Sequence, residues 1–181
     1  MLEEKALALF QHHNPYRGEA LKNHNLRIAA FAWRLVEKRH LSVDRDLLRA
    51  ACQLHDMGLL IPDRKEPSYL KRSWNLLQPH FQGWGLDTQQ MAWMRDALLF
   101  NHSLRPVPGL SDLGEVMRLG VQVEHSRGLW RHGLSWGYCR DQFKRHPRLD
   151  LTRVLLDFAR ITLFEDGPAQ LPKIFFPKSN R

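Results

Sequence analysis

Cysteine is scarce in this chain. Cys52 and Cys139 lie far apart and match neither a disulfide framework nor a zinc-ligand spacing. A reducing, cytoplasmic setting is the simplest expectation for them. Long apolar runs are missing too: none approaches the roughly 18 residues a membrane span needs, so no membrane partner is expected. The opening stretch MLEEKALALFQHH is acidic and then amphipathic, not basic and then apolar, which argues against an export signal. Period-two alternation, internal repeats, linkers and low-complexity blocks are all absent. No helix-turn-helix, zinc or RNP-type motif is present. Acidic residues are also in short supply, 19 against 27 Lys and Arg, which leaves a formal charge of +8 beside ten histidines. That surplus by itself suggests either an anionic partner (a phosphate ester, a nucleotide, nucleic acid or a membrane surface) or simply a charged, well-solvated surface.

Helical period is present almost everywhere. The spacing predicts helices over about 2–12 and 18–39, the second with an apolar stripe of Leu21, Ile28, Phe31, Leu35 and Val36, and with His24 beside that stripe. A third opens on Asp44 as N-cap and runs to His55, with Gly58 as its stop. Ser68 is placed as the cap of a helix of about twelve residues. Asp87 with Gln90 and Asp112 with Glu115 read as capping boxes for two more. A short helix is expected around 138–144 and a terminal one over 151–165. The Pro-broken tail after it is expected to be an extended strap. The expectation is one all-α domain over 1–181, with its core at about 18–130 and a C-terminal helix and tail at 150–181. Trp33, Trp74 and Trp93 fall at core spacing. From Arg127 to Arg153, seven cations face only Asp141 and Asp150, with Trp130, Trp136 and Tyr138 interleaved. Nucleic acid is the polyanion that such a stretch would serve.

The chemistry concentrates in CQLHDMGLL, residues 52–60. A buried imidazole and carboxylate are costly without a hydrogen-bond network or a metal. His55 and Asp56 at a helix end can converge on one ion, and His24 on the preceding helix is the candidate third ligand.

A histidine and, about thirty residues later, a His-Asp pair on consecutive helices resemble the HD-domain superfamily of metal-dependent phosphohydrolases. The resemblance runs over roughly 18–130 and is carried by His24, His55-Asp56-Met57-Gly58, LLFNHS ending in the region of His102, and VMRLGVQVEHSRG. It implies a compact helical bundle in which His24, His55 and Asp56 bind a divalent metal. The family's last ligand, an Asp, is replaced here by Val121, and Glu124, one helical turn on, is the nearest acidic substitute; His125 follows it. His102 matches a position at which some members hold a second metal. It is assigned here as general acid or substrate contact, whereas His80 matches poorly, so a single metal is expected. Arg64 and Lys65, just after the pair, are the expected phosphate contacts, with Arg17 and Arg127 as further cations. Imidazole–carboxylate ligation suits Mn, Fe, Co, Ni or Zn. The implied activity is hydrolysis of a small phosphorylated substrate by a metal-activated water. The alternatives are a degenerate HD module that binds without catalysis and, third, an HD-scaffold oxygenase or hydratase.

Overall fold

Helices dominate the computed structural model, which describes residues 1–14, 19–61, 66 and 68–177, and no strand occurs among the described residues. α1 (Leu2–His13) packs on α3 (Arg45–Leu54), and α2 (Ala20–Arg39) lies between α3 and α7 (Asp112–His125). α5 (Tyr69–Gly83), α6 (Thr88–Phe100) and α7 follow as successive neighbours. α4 (Met57–Leu60) is a single turn seated on α5. α8 (Trp136–Arg145) and α9 (Leu151–Arg160) lean on α2, and α10 (Leu171–Phe175) is the last helix. No helix among the described residues is long and apolar enough to cross a membrane.

The apolar stripe of α2 forms the centre of the core: Leu21, Ile28, Phe31, Leu35 and Val36 are all buried. Phe31 meets the rings of Tyr138 and Phe143 from α8. Trp33, Trp74 and Trp93 are half-buried against that core. The α2–α7 contact is the most extensive between helices, and Gly120 sets its closeness. A Cβ there would lie 3.1 Å from both the Ala32 Cβ and the Ile28 carbonyl oxygen. Small residues at a helix crossing let the axes approach, and this crossing sets His24 of α2 beside Glu124 of α7.

Several helix ends form as their sequence predicts. Asp44 accepts from the Leu47 amide at 2.7 Å, and Asp87 with Gln90 makes a complete capping box. Others differ. The cap of α7 is Ser111, whose hydroxyl accepts from the Gly114 amide, rather than Asp112. Its own amide donates to the Asp96 carboxylate, and Glu115 turns to Arg118 instead of back to the cap. Ser68 precedes α5 without a side-chain cap bond, and that helix runs fifteen residues through Pro79. The carbonyl that Pro79 deprives of a partner is that of Asn75, which is exposed, so water can take the bond. The terminal helix ends at Arg160 and relaxes into a wider π turn over Ile161–Glu165. The tail then folds into a 3₁₀ turn and α10 instead of an extended strap. It is held by the Leu104 amide, which donates to the Phe175 carbonyl at 2.9 Å.

Gly58 is not a helix stop. It lies inside α4, and its role is close approach, since a Cβ would sit 2.0 Å from the Tyr69 carbonyl oxygen and 2.7 Å from the Ser73 nitrogen. Only glycine lets α4 rest directly on the start of α5.

Candidate metal centre

The His55–Asp56 pair occupies the corner between α3 and α4, and side chains of α5 hold the backbone around it. Ser73 donates its hydroxyl to the His55 carbonyl at 3.1 Å and accepts from the Gly58 amide at 2.8 Å. Arg72 donates its Nε to the Gly58 carbonyl at 2.9 Å. The same guanidinium makes a two-pronged pair with Asp166, at 2.7 and 2.9 Å, just beyond the π turn. The C-terminal segment is thereby clamped onto the corner that presents the pair.

Three imidazoles surround the Asp56 carboxylate. His55 Nε2 stands 3.0 Å and His24 Nε2 3.9 Å from Asp56 Oδ2, and His102 Nε2 lies 3.7 Å from Oδ1. The His24 and His55 rings are 5.5 Å apart, centre to centre, and His55 and His102 6.3 Å apart. His24 and His55 have no exposed surface at all, and Asp56 and His102 almost none. One tautomer is fixed by its partner. His55 Nδ1 lies 2.9 Å from the Cys52 carbonyl, which can only accept, so Nδ1 carries the proton and Nε2 offers a lone pair.

In the neutral ring that lone pair faces a carboxylate oxygen 3.0 Å away, so either a second proton, which the Asp56 charge favours, or a cation must stand between them. Nor is this the only mismatch. His24 Nε2, His55 Nε2, His102 Nε2 and Asp56 Oδ1 are all buried without a hydrogen-bond partner among the described residues. Each buried unsatisfied polar atom costs about 1–3 kcal/mol, a cost that a cation shared by His24, His55 and Asp56 would offset. The spacings fit one. Ligand atoms about 2.1 Å from a common ion lie roughly 3.0 Å apart when adjacent and roughly 4.2 Å apart when opposite. The His24, His55 and Asp56 donors all fall within 4.8 Å of one another. These buried groups can hold a metal ion. Two imidazoles and a carboxylate favour a divalent transition metal over calcium.

Glu124 belongs to the far side of His24. Its Oε2 is 3.1 Å from His24 Nδ1 and 3.8 Å from His125 Nε2, short contacts that are not aligned as hydrogen bonds. Its Oε1 accepts from Arg27 Nε at 3.2 Å, Arg27 Nη2 at 2.7 Å and Arg148 Nη1 at 3.0 Å. His24, Glu124 and His125 make a second close group, which shares His24 with the first. Glu124 therefore approaches His24 through the ring nitrogen that points away from Asp56. Two guanidiniums already neutralise its charge, so a second cation there would be repelled. The arrangement suits a carboxylate that orients a ligating histidine.

The electrostatics follow from burial set against partners. Burial alone would raise the Asp56 carboxyl, but the His55 and His102 imidazoles outweigh it and hold Asp56 well below the usual range. Burial would lower His55, and the neighbouring Asp56 charge reverses that and raises it. His102 is lowered, because burial outweighs its contact with Asp56, and it stays neutral near pH 7. Burial would likewise raise Glu124, yet His24, His125 and Arg27 bring it far below the ordinary value.

Of the residues read from the sequence, His24, His55, Asp56 and His102 converge, and Glu124 joins through His24. Arg64, Lys65 and Arg17 lie outside the described residues. Arg127 is exposed and adopts a left-handed backbone, φ 54°. His80 packs against Trp84 with tilted rings, centroids 5.9 Å apart. Sequence reasoning missed Arg27 and Arg148. Arg27 carried a signal, since it stands three residues after His24 and so on the same helix face. Arg148 is one of the seven cations of 127–153, yet it points inward to Glu124. Val121 is buried and lines a mainly apolar cavity of ≈ 330 Å³ that His102 and His125 also border. Compared with known proteins, the chain matches no family model, and no curated protein matches it.

Proposed function

We propose that the chain is a metal-dependent hydrolase of the HD superfamily that acts on a small phosphate ester or nucleotide. The observation that carries this reading is the buried convergence of His24, His55 and Asp56, whose His24 Nε2, His55 Nε2 and Asp56 Oδ1 have no hydrogen-bond partner among the described residues. His24, His55 and Asp56 would hold a divalent ion, which when bound would supply a water of lowered pKa and polarise a phosphoryl oxygen. The chain's own residues do the rest. The Cys52 carbonyl fixes the His55 tautomer. Glu124, anchored by Arg27 and Arg148, sets its charge 3.1 Å behind His24 Nδ1, on the side away from Asp56. His102, neutral and beside both Asp56 and the cavity, is placed as a hydrogen-bonding contact to the substrate.

One observation favours the second reading, a module that binds without catalysis. The position where the motif has its last carboxylate holds buried Val121, and Glu124 is tied to arginines instead. The experiment that separates the two is a turnover screen. Tag-free protein loaded in turn with Mn, Fe, Co, Ni and Zn is assayed against a panel of phosphomonoesters and nucleotides. Hydrolysis should vanish with chelator, return with metal and be lost in His55→Ala. Metal uptake with no turnover on any substrate would leave the binding module as the reading.

A further inference from the structure

We propose that the cavity beside the metal centre is an aromatic-group subsite, so that the substrates taken are phosphate esters carrying a flat apolar ring. The inference rests on the hydrolase reading for the polar end of the substrate only. The cavity measures ≈ 330 Å³, enough for a bicyclic ring, and its exposed lining is mostly apolar. Val121, Leu104, Leu129, Trp130 and Phe175 form its walls. His102 and His125 border it on the inner side, and their rings lie 5.1 Å apart. His102 also stands 3.7 Å from Asp56, so this one side chain joins the cavity's lining to the centre.

Two features indicate that the apolar walls are built. Leu129 and Trp130 are 75% and 54% exposed, an unfavourable placement for large side chains on a protein this polar. The turn after α7 puts them there. Arg127 and Gly128 both take positive φ, the Gly128 amide donates to the Val123 carbonyl, and Ser126 Oγ accepts from the Trp130 amide at 2.9 Å. The second feature is the lack of charge. No Lys, Arg, Asp or Glu lines the cavity among the described residues. Gln122 and Ser126 are its other polar members, and Gln122 already donates to the Ser103 carbonyl. A phosphate would find no cation here, whereas a neutral ring would find apolar walls on several sides. Val121 gives the cavity an apolar wall, so a ring resting there buries no charge.

The test uses tag-free, Mn-loaded protein and three probes: phenylphosphonate, methylphosphonate and the fluorescent neutral ring 2-naphthol. Binding is read by calorimetry for the phosphonates and by fluorescence for 2-naphthol. Phenylphosphonate is expected to bind at least about tenfold tighter than methylphosphonate, from the burial of one ring. Trp130→Ala and Leu129→Asp, both at exposed positions and checked by melting temperature, should each weaken phenylphosphonate and 2-naphthol at least threefold and leave methylphosphonate unchanged. Equal binding of the two phosphonates, with no 2-naphthol binding, overturns the subsite and leaves the hydrolase reading standing. Variant-sensitive 2-naphthol binding without phosphonate binding supports the subsite and removes the hydrolase reading. Absence of all binding overturns both.

Discussion

Glu124→Gln is the substitution on which the architecture of the centre bears most heavily. The side chain keeps its size and loses its charge. Arg27, with no exposed surface, then has no buried counter-charge, because both of its bonds to a side chain go to Glu124 Oε1. Removing one partner of a buried pair costs about 3–5 kcal/mol. The amide oxygen can still accept from Arg27 and Arg148, which places the expected loss near the lower end, about 3 kcal/mol. For a domain of this size that lowers the melting temperature by roughly 6–12 °C. The sign with pH follows from the depressed Glu124 value. Its contribution is present above the ordinary carboxylate value of 4.5 and is lost as pH falls through the folded value, so wild type and variant should differ fully at neutral pH and converge in acid. The second effect is on the metal. With oxygen kept toward the arginines, the amide nitrogen faces His24 Nδ1 and can only donate. The His24 proton is then pushed to Nε2, the nitrogen needed for ligation. Loss of such an outer partner typically weakens metal binding about 10–100-fold. Melting is followed by circular dichroism with chelator present, and affinity by competition with a metal-sensitive dye. A variant within about 1 °C and twofold of wild type would refute both the buried-charge argument and the orienting role of Glu124.

Other expected outcomes follow from the corner that presents the His-Asp pair. Gly58→Ala should cost about 3 kcal/mol or more, above the usual overpacking range, because its Cβ would lie 2.0 Å from the Tyr69 carbonyl oxygen; urea unfolding measures this. Asp166→Ala should cost about 3–5 kcal/mol, because it leaves the buried Arg72 unpaired, and hydrogen exchange should show the C-terminal segment opening first. Reversing Arg140, Lys144 and Arg145 to Glu, all exposed, should leave small-ester turnover largely intact; loss of function with a steep salt dependence would point to a polyanion partner instead.

The local chemistry of this fold was legible wherever one residue type settles the matter. Asp44 and Asp87 cap because a short carboxylate reaches amides three residues on, and the α2 stripe is buried because its spacing keeps one face apolar. His24, His55 and Asp56 could be picked out because ionisable groups beside apolar stripes are unusual, and His102 only through the motif it resembles. Competition between neighbours was harder to read. Ser111 and Asp112 are both good caps, and tertiary pairing of the Ser111 amide with Asp96 decides between them. Gly58 looked like a stop because the backbone of Tyr69 and Ser73, which demands a missing Cβ, comes from another helix. Arg148 looked like a surface charge because nothing local marks it as the partner of a buried glutamate twenty-four residues away.

Metal content of tag-free protein, measured per chain by elemental analysis, tests the central claim most directly. The account predicts close to one transition-metal ion per chain in the wild type and none in His55→Ala, whose loss removes one of three converging donors. Pure, folded protein that takes up no metal, or His55→Ala with wild-type occupancy, would contradict it.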